Sequence, residues 1–302
     1  MEERRFKIGE VSRMLDISVQ TLRFLETTSL ISPEKDPRNH YRYYGIHDVD
    51  EIMQYKKLRQ SGFSSAESVS LLQGASLQEL DSRLLDKVEE ARYAAIYLHE
   101  KVQKLENFHT MLSCAGQIIG RFLPMQSPEN YALYMRQFTE KGVETSSAKE
   151  LGESFQELTR HYSFVEHSYR VRLAWLMDLD GRVQADWGYT IKRRWVELLR
   201  IKAAPPLILM PARECLFTVI RSLDGVFLKD PFWQELPAAI RDLDEEVTGD
   251  ICTTHLAKVK EDGFFYDYTE VWIPVTGKSS KSGPALGGDS DLMRRLKEVF
   301  TD

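Results

Sequence analysis

A seven-residue apolar repeat between residues 77 and 119 most constrains how this chain can fold. Its members are Leu77, Leu84, Ala91, Leu98, Leu105, Leu112 and Ile119. With Val88, Ala95 and Val102 they form a heptad seam that is regular in its middle and imperfect at its ends. A long helix cannot bury such a seam by itself. We therefore predict a coiled-coil helix over residues 76–119 that pairs with its own copy in a homodimer.

The N-terminal segment has the pattern of a helix-turn-helix. Ser18 is a favourable N-cap for a helix whose buried side is formed by Leu22 and Leu25, so Thr21 and Arg23 face outward. The first turns of a recognition helix enter the major groove, where threonine can meet a phosphate and arginine can bond guanine. We predict that Ser18, Thr21 and Arg23 contact DNA.

A basic and aromatic cluster, H-Y-R-Y-Y, follows after a proline-containing loop. Its aromatic content predicts a strand, which would act as a wing that grips the adjacent DNA backbone. Alternation along that strand sends Tyr41 and Tyr43 to one face and Arg42 and Tyr44 to the other. The predicted DNA contacts of this wing are Arg38, His40, Tyr41 and Arg42.

Composition excludes several other classes of protein. The chain has 302 residues, a net charge of −6 and three separated cysteines, Cys114, Cys215 and Cys252, so neither a disulfide framework nor a zinc module is expected. The sequence shows no signal peptide and no apolar run of membrane-spanning length, which predicts a cytoplasmic protein without a membrane contact. No catalytic residue, metal site or cofactor is predicted. The first 75 residues carry 11 Lys and Arg against 11 Asp and Glu, so attraction to DNA must come from local placement of charge.

Residues 6–72 resemble the DNA-binding domain of the MerR family of transcription regulators. The matching motifs are I-G-E-V, T-L-R, L-I-S-P, Y-R-Y-Y and L-R-x-x-G-F-S; the last of these adds Arg59 to the predicted DNA contacts. The family usually carries two tyrosines after T-L-R, where this chain has Phe24 and Leu25. The resemblance implies an antiparallel coiled coil for the dimer helix.

Residues 120–275 alternate helix signals with aromatic-rich strand signals. The predicted strands lie near 129–138, 169–178, 184–192, 207–220, 252–260 and 264–275, and the predicted helices near 148–161 and 231–247. This order is β-α-β-β twice over, which indicates an α+β domain with an internal pseudo-repeat. P-A-R at residues 211–213 and the closing E-V-W-I-P resemble the GyrI-like effector-binding domain, which occurs in the multidrug-sensing branch of the MerR family.

A ligand site is predicted on the last strand. Tyr268, Glu270 and Trp272 alternate and so share one face, and a carboxylate among aromatic rings suits an aromatic or cationic ligand. Further walls of the predicted site are Trp175, Trp187 and Tyr189. The alternative is that these aromatic residues are ordinary core. Glu270 is the stronger candidate, because an isolated carboxylate in an apolar strand is costly unless it has a role.

The predicted fold class is therefore multidomain α+β. It comprises a winged helix-turn-helix domain (1–75), a coiled-coil dimerisation helix (76–119), a GyrI-like effector-binding domain (120–275) and a tail (276–302). The tail reads as a flexible linker that ends in a short amphipathic helix with Leu292, Leu296 and Phe300; docking of that helix and a disordered end are both open.

These patterns favour a ligand-responsive transcription regulator. The resemblance implies a homodimer that binds a pseudo-palindromic promoter and, with a small-molecule effector, distorts the DNA so that RNA polymerase engages it, without a direct contact to the polymerase. A GyrI-like small-molecule hydrolase or a ligand-sequestering protein is the alternative. A metal sensor is disfavoured because Cys114 has no partner cysteine nearby in the sequence.

Overall fold

The computed structural model describes residues 5–37, 41–139, 142–176, 183–276 and 290–300. The chain divides into two compact units, Met1–His99 and Glu100–Asp302, and the boundary falls inside a long helix. The predicted division into four segments stays a prediction. Within the described ranges, no helix combines the length and the apolar character needed to cross a membrane.

The first unit is a small helical domain with a three-stranded sheet. Its elements are β1 (Phe6–Lys7), α1 (Ile8–Met14), α2 (Val19–Thr27), β2 (Glu34–Lys35), β3 (Arg42–Tyr44), α3 (Ile46–Gln60) and α4 (Ser65–Gly74). The strands lie in the order β1-β3-β2 and are antiparallel. The core contains the fully buried Val11, Leu22, Leu25, Tyr44 and Ile52, so both helices of the helix-turn-helix and the wing strand share one apolar centre.

Helix α5 (Leu77–Ile118) is the long helix that the heptad repeat predicts, with both ends within one residue of the predicted bounds. Within the single chain its seam is open to solvent: Leu84, Val88, Leu98, Leu105 and Leu112 are all exposed. Near its C-terminal end the helix changes character, and Met111, Cys114, Ala115 and Ile118 are buried in the second unit.

The second unit is an α+β domain. Its strands are β4 (Leu123–Gln126), β5 (Asn130–Thr139), β6 (Gly142–Thr145), β7 (Val165–Val171), β8 (Asp186–Lys192), β9 (Ile208–Met210), β10 (Glu214–Leu223), β11 (Ile251–Glu261) and β12 (Phe264–Pro274). Its helices are α6 (Ala148–Arg160), α7 (Leu173–Leu176), α8 (Arg193–Leu198), α9 (Phe232–Asp242) and α10 (Ser290–Phe300), with short 3-10 turns at Tyr162–Phe164 and Phe227–Lys229.

The strands form one antiparallel sheet in the order β4-β10-β12-β11-β7-β8-β5-β6, and β9 pairs with β5. The chain passes through β5-α6-β7-β8 and later through β10-α9-β11-β12, which is the β-α-β-β order of the predicted pseudo-repeat. The two halves meet where β11 pairs with β7, at Ile251 opposite Val171 and Cys252 opposite Arg170. The α+β multidomain fold class is thus confirmed.

The sheet has a different cover on each face. One face packs against α9, through Trp233, Leu236 and Ile240. The other face packs against the end of α5 and against α10, whose Leu292 and Leu296 are buried beside Trp272. The sheet is therefore the middle layer of three, and strand alternation decides which layer each side chain meets.

Several elements differ from the predicted ones: the strand predicted near 207–220 is divided into β9 and β10, and β4, β6, α7 and α8 were not predicted. Strand β7 begins at Val165 and ends at Val171, four to seven residues before the predicted 169–178, because the chain turns into α7 directly afterwards. At the C-terminus, the helix predicted in the tail is present as α10 and is docked rather than free. The linker expected before it lies outside the described residues.

Candidate functional site

The N-terminal turn of α2 carries the predicted DNA-reading residues. The Ser18 hydroxyl accepts a hydrogen bond from the Thr21 amide at 3.0 Å, and the two hydroxyl oxygens lie 2.7 Å apart. The cap is local, since serine at this position satisfies an amide that the helix leaves unpaired. Arg23 is exposed, and Leu22 and Leu25 on the other side are fully buried. The turn therefore presents two hydroxyls and a guanidinium to solvent.

The wing is fastened to α2 by a carboxylate. Glu26 accepts a hydrogen bond from the Arg42 Nε at 2.7 Å and another from the Tyr44 hydroxyl at 2.5 Å. Burial, and then the hydrogen bond to Glu26, raises the pKa of Tyr44 above its ordinary value, so this phenol keeps its proton. The predicted alternation holds here, because Arg42 and Tyr44 reach the same partner.

This arrangement gives one of the predicted DNA contacts of the wing a structural role as well. Arg42 is 40% exposed but pairs with Glu26, so in this structure it also positions the wing. Tyr41 is 62% exposed. Arg38 and His40 lie outside the described residues. Sequence reasoning missed Glu26, although an acidic residue on the recognition helix one turn after Arg23 was a visible signal.

The remaining predicted DNA contact, Arg59, stabilises the turn that follows α3. Its guanidinium donates to the Phe63 carbonyl, and the side chain lies at the end of α3. A second basic residue, Lys56, donates to the Leu15 carbonyl and so ties α3 to the turn of the helix-turn-helix. Both basic side chains thus hold the domain together as well as contributing positive charge.

In the second unit, a cavity of about 100 Å³ lies on the face of the sheet that α5 and α10 cover. Glu270 and Trp272 of the last strand line it, as do Glu166 from β7 and Thr190 and Lys192 from β8. The register explains this grouping: Glu166 stands opposite Thr190 in the β7–β8 pair, and Glu270 stands opposite Thr254 in the β11–β12 pair. All of these side chains point to one face.

Glu270 is buried, with 7% of its surface exposed. Burial, and secondarily the nearby carboxylate of Glu166, raises its pKa to about 8. The ammonium of Lys192 and a hydrogen bond with the Trp272 side chain favour the charged form but do not outweigh the burial. Glu270 is thus a mostly neutral acid at pH 7 that a cation placed beside it would ionise.

Other charged groups at the rim are already paired. Lys104 of α5 lies 2.6 Å from Glu166, and Glu100 accepts bonds from Arg194 at 2.8 Å and from the Trp195 indole nitrogen at 3.1 Å. Trp195 also packs on Phe164, with ring centroids 5.1 Å apart. The cavity therefore combines aromatic walls with one buried carboxyl that has no ion-pair partner within salt-bridge distance among the described residues.

The other predicted ligand residues lie elsewhere. Tyr268 donates its hydroxyl to Glu261 at 3.0 Å; it packs beside the core and does not line the cavity. Trp187 and Tyr189 face the opposite layer, because they alternate with Thr190 on β8; their rings surround His167 at 6.2 and 5.0 Å. The Trp175 side chain lies outside the described residues. Trp187 and Tyr189 therefore do not line the cavity that holds Glu270 in this structure.

The predicted site missed most of the cavity lining, including Glu166, Lys192, Trp195 and Phe300. Glu166 was hidden because β7 was predicted to begin four residues too late, and the alternation that places it beside Glu270 needs the correct strand start. Lys192 is the last residue of β8 and Trp195 lies in the following helix α8, where basic residues are typical of an ordinary exposed strand end. Among the described residues, no three His, Cys, Asp or Glu side chains come together in a way that could hold a metal ion.

Comparison with known proteins bears on the first unit. The family model described as "MerR HTH family regulatory protein" matches residues 6–75. The chain is 28% identical over 103 residues to the nodulation protein NolA of Bradyrhizobium elkanii, covering 34% of this chain and 47% of that protein. It is 26% identical over 107 residues to the multidrug-efflux transporter 2 regulator of Bacillus subtilis strain 168, covering 35% and 37%. The matched segment thus spans less than half the length of these relatives.

Among solved structures, a cryo-EM structure of an EcmrR–DNA complex covers 89% of this chain at 17% identity, with a TM-score of 0.33. The family match coincides with β1 to α4, the elements that present Ser18, Thr21 and Arg23. Residues 6–75 are therefore similar to a MerR-family helix-turn-helix domain.

Proposed function

We propose that this chain is a ligand-responsive transcription regulator that binds promoter DNA as a homodimer. The observation that carries the proposal is the MerR-family domain at residues 6–75, whose α2 presents its first turn to solvent. In a helix-turn-helix the second helix enters the major groove with its N-terminal residues on the base edges. Ser18 and Thr21 then reach phosphate or base edges, and Arg23 bonds phosphate or guanine.

The wing supplies a second grip. Tyr41 projects from the loop before β3, and Glu26 holds Arg42 and Tyr44 against α2. Helix α2 and the wing are therefore fixed to each other before they contact DNA, which lowers the conformational entropy lost on binding. Arg38, His40 and Arg59 remain proposed contacts of the same surface.

The exposed seam of α5 supports the homodimer. Leu98 and Leu105 are 61% and 58% exposed, and Leu84, Val88 and Leu112 continue the same stripe. An apolar seam of several heptads gains stability by packing against a second helix, and a second copy gives a twofold axis. A twofold dimer matches a pseudo-palindromic site with two readers. By resemblance to the family, the pairing is an antiparallel coiled coil.

The cavity around Glu270 supports the effector part of the proposal. A buried carboxyl among Trp272, Trp195 and Phe164 favours a guest that offers an aromatic ring and a positive charge. The named role of one relative, a multidrug-efflux transporter regulator, is in keeping with a small-molecule input. Effector binding would then shift the dimer and distort the promoter, and RNA polymerase would respond to the DNA without touching this chain.

A second candidate function is a small-molecule hydrolase or a ligand-sequestering protein built on the same cavity. The raised pKa of Glu270 favours it, because a carboxyl that titrates near pH 8 can serve as a general acid or base. An activated aromatic ester tests this candidate: turnover by the wild-type chain that is lost in Glu270→Gln would support it. The regulator is preferred because the family match lies in the DNA-reading domain.

The proposal is tested by DNA binding of the full chain. The probe is a fluorescent duplex of the region immediately upstream of the chain's own coding sequence, with a shuffled duplex as reference. We expect specific binding about a thousandfold tighter than to the shuffled duplex. Arg23→Ala should weaken specific binding about tenfold or more, while Arg160→Ala, an exposed arginine on α6, should not. Equal affinity for the two duplexes would refute a sequence-specific regulator that acts on its own upstream region.

A further inference from the structure

Helix α10 covers the cavity that holds Glu270. Its apolar side is buried: Leu292, Leu296 and Val299 belong to the same cluster as Trp272 and Met111. Its last turn goes further, because Val299 and Phe300 line the cavity itself. The amphipathic tail helix is thus part of the site rather than a distant appendage.

Phe300 occupies the aromatic part of the cavity. Its ring stands edge-on to Trp272, with centroids 4.7 Å apart and planes at 87°, and lies 5.3 Å from the ring of Phe217 at 64°. Edge-to-face contact is one of the arrangements that aromatic pairs prefer. A planar aromatic guest that packed on Trp272 inside this cavity would take the place that the Phe300 ring occupies.

Long side chains from other elements make polar contacts with the last turn. The Val299 carbonyl accepts from the Asn107 amide nitrogen at 3.2 Å and from Lys192 Nζ at 3.4 Å. One turn earlier, Arg295 donates to the Ser113 hydroxyl at 2.6 Å. A helix C-terminus attracts a cation, which accounts for the position of Lys192. Release of this turn would break the two hydrogen bonds to the Val299 carbonyl without breaking a strand pairing.

The space left beside Phe300 is small. About 100 Å³ is open, whereas sites for drug-sized ligands take roughly 300 to 1,000 Å³. A neighbouring cavity of about 370 Å³ shares Trp272 with the first, but neither Glu270 nor Phe300 lines it. A guest that places its ring beside Glu270, inside the smaller cavity, therefore needs the volume that Phe300 fills.

We propose that α10 is a built-in competitor for the effector site: Phe300 stands where the aromatic ring of an aromatic ammonium ligand binds, and the ligand must displace the last turn of α10. This inference rests on the proposed effector function of the cavity. Displacement converts ligand binding into movement of a chain segment. It also lowers the apparent affinity by the fraction of molecules in which the cavity is closed.

The test uses the full-length chain and 1-naphthylmethylammonium as the probe, with binding measured by calorimetry. Phe300→Ala is expected to bind the probe about tenfold more tightly than wild type, because the competitor is gone. Arg294→Ala, an exposed position on the same helix, is the matched control and should bind within twofold of wild type. Glu270→Gln should bind at least tenfold more weakly, which tests the proposed function separately.

The outcomes separate the two claims. If Phe300→Ala binds as wild type does, or more weakly, Phe300 is a wall of the site and the inference is overturned, while loss of binding in Glu270→Gln still supports the effector site. If Phe300→Ala binds the probe more tightly but Glu270→Gln binds it as wild type does, competition by Phe300 is supported and the proposed role of Glu270 in binding is refuted. Absence of binding to every variant overturns both.

A second measurement needs no variant and guards against a destabilised Phe300→Ala chain. Hydrogen exchange of the α10 amides is compared in the wild-type chain with and without saturating probe. Exchange in the last turn should be at least fivefold faster with the probe bound. Unchanged or slower exchange in a probe-saturated sample would show that the ligand enters without moving α10 and would overturn the inference.

Discussion

Glu270 carries the chemistry of the ligand cavity at the scale of single residues. Its pKa, ordinarily 4.5, is raised to about 8 by burial and by Glu166. In the folded state it therefore keeps a proton that the unfolded chain releases. This contribution to stability is fully present below about pH 4.5 and is lost as the pH rises toward 8.

Glu270→Gln consequently changes the pH dependence of stability. The amide does not titrate. The variant therefore does not lose the unfolding free energy that the wild-type chain loses between acidic and alkaline solution. We expect the variant to gain on the order of 3 kcal/mol in unfolding free energy, relative to wild type, between about pH 5 and pH 8. Denaturant melts at both pH values measure this, with Glu153→Gln on the exposed side of α6 as control. A difference between variant and wild type that is the same at both pH values would contradict the account.

At the scale of elements, helix α5 makes the clearest prediction. Its seam is exposed in the single chain, so a charge placed there should oppose pairing. Leu98→Glu should shift the chain from dimer to monomer by at least tenfold in dissociation constant, as measured by analytical ultracentrifugation. Ser82→Glu puts the same charge on an exposed position off the seam and should leave the dimer intact. A wild-type chain that sedimented as a monomer at micromolar concentration would refute the homodimer.

Elements were predictable where one pattern dominates. The heptad repeat predicted α5 to within a residue at each end, because apolar spacing over many turns has no competing explanation. The start of β7 was not predictable, because Val165 follows a 3-10 turn rather than a clear loop signal. That error hid Glu166. The face of Trp187 was likewise undetermined, since alternation relates residues within one strand but says nothing about which layer covers each face.

The sequence also could not predict which side chains of distant segments contact each other. Arg42 reads as a free DNA contact until the fold brings Glu26 to within 2.7 Å of it. Phe300 reads as one apolar residue of a tail helix until that helix docks beside Trp272. Residue type indicated the chemistry in both cases. The pairing depended on tertiary packing, which short-range patterns do not encode.

At the scale of the whole molecule, α5 contributes residues to both compact units. Its N-terminal part follows the helix-turn-helix domain, and its C-terminal part supplies Lys104 and Met111 to the cavity beside Glu270. Under the proposed function, this continuous helix is the physical route by which occupancy of the cavity biases the dimer and its DNA. Coupling between two sites is a difference in free energy and acts in both directions.

The measurement that tests this central claim most directly is the shape of promoter DNA bound by the full-length dimer, with and without ligand. A duplex of the upstream region carries a fluorescence donor and acceptor at its ends, and 1-naphthylmethylammonium is added at saturation. The account predicts a change in transfer efficiency in the wild-type complex, and no change at the same probe concentration in Glu270→Gln. An unchanged efficiency in a wild-type complex that calorimetry shows to be saturated with probe would contradict it.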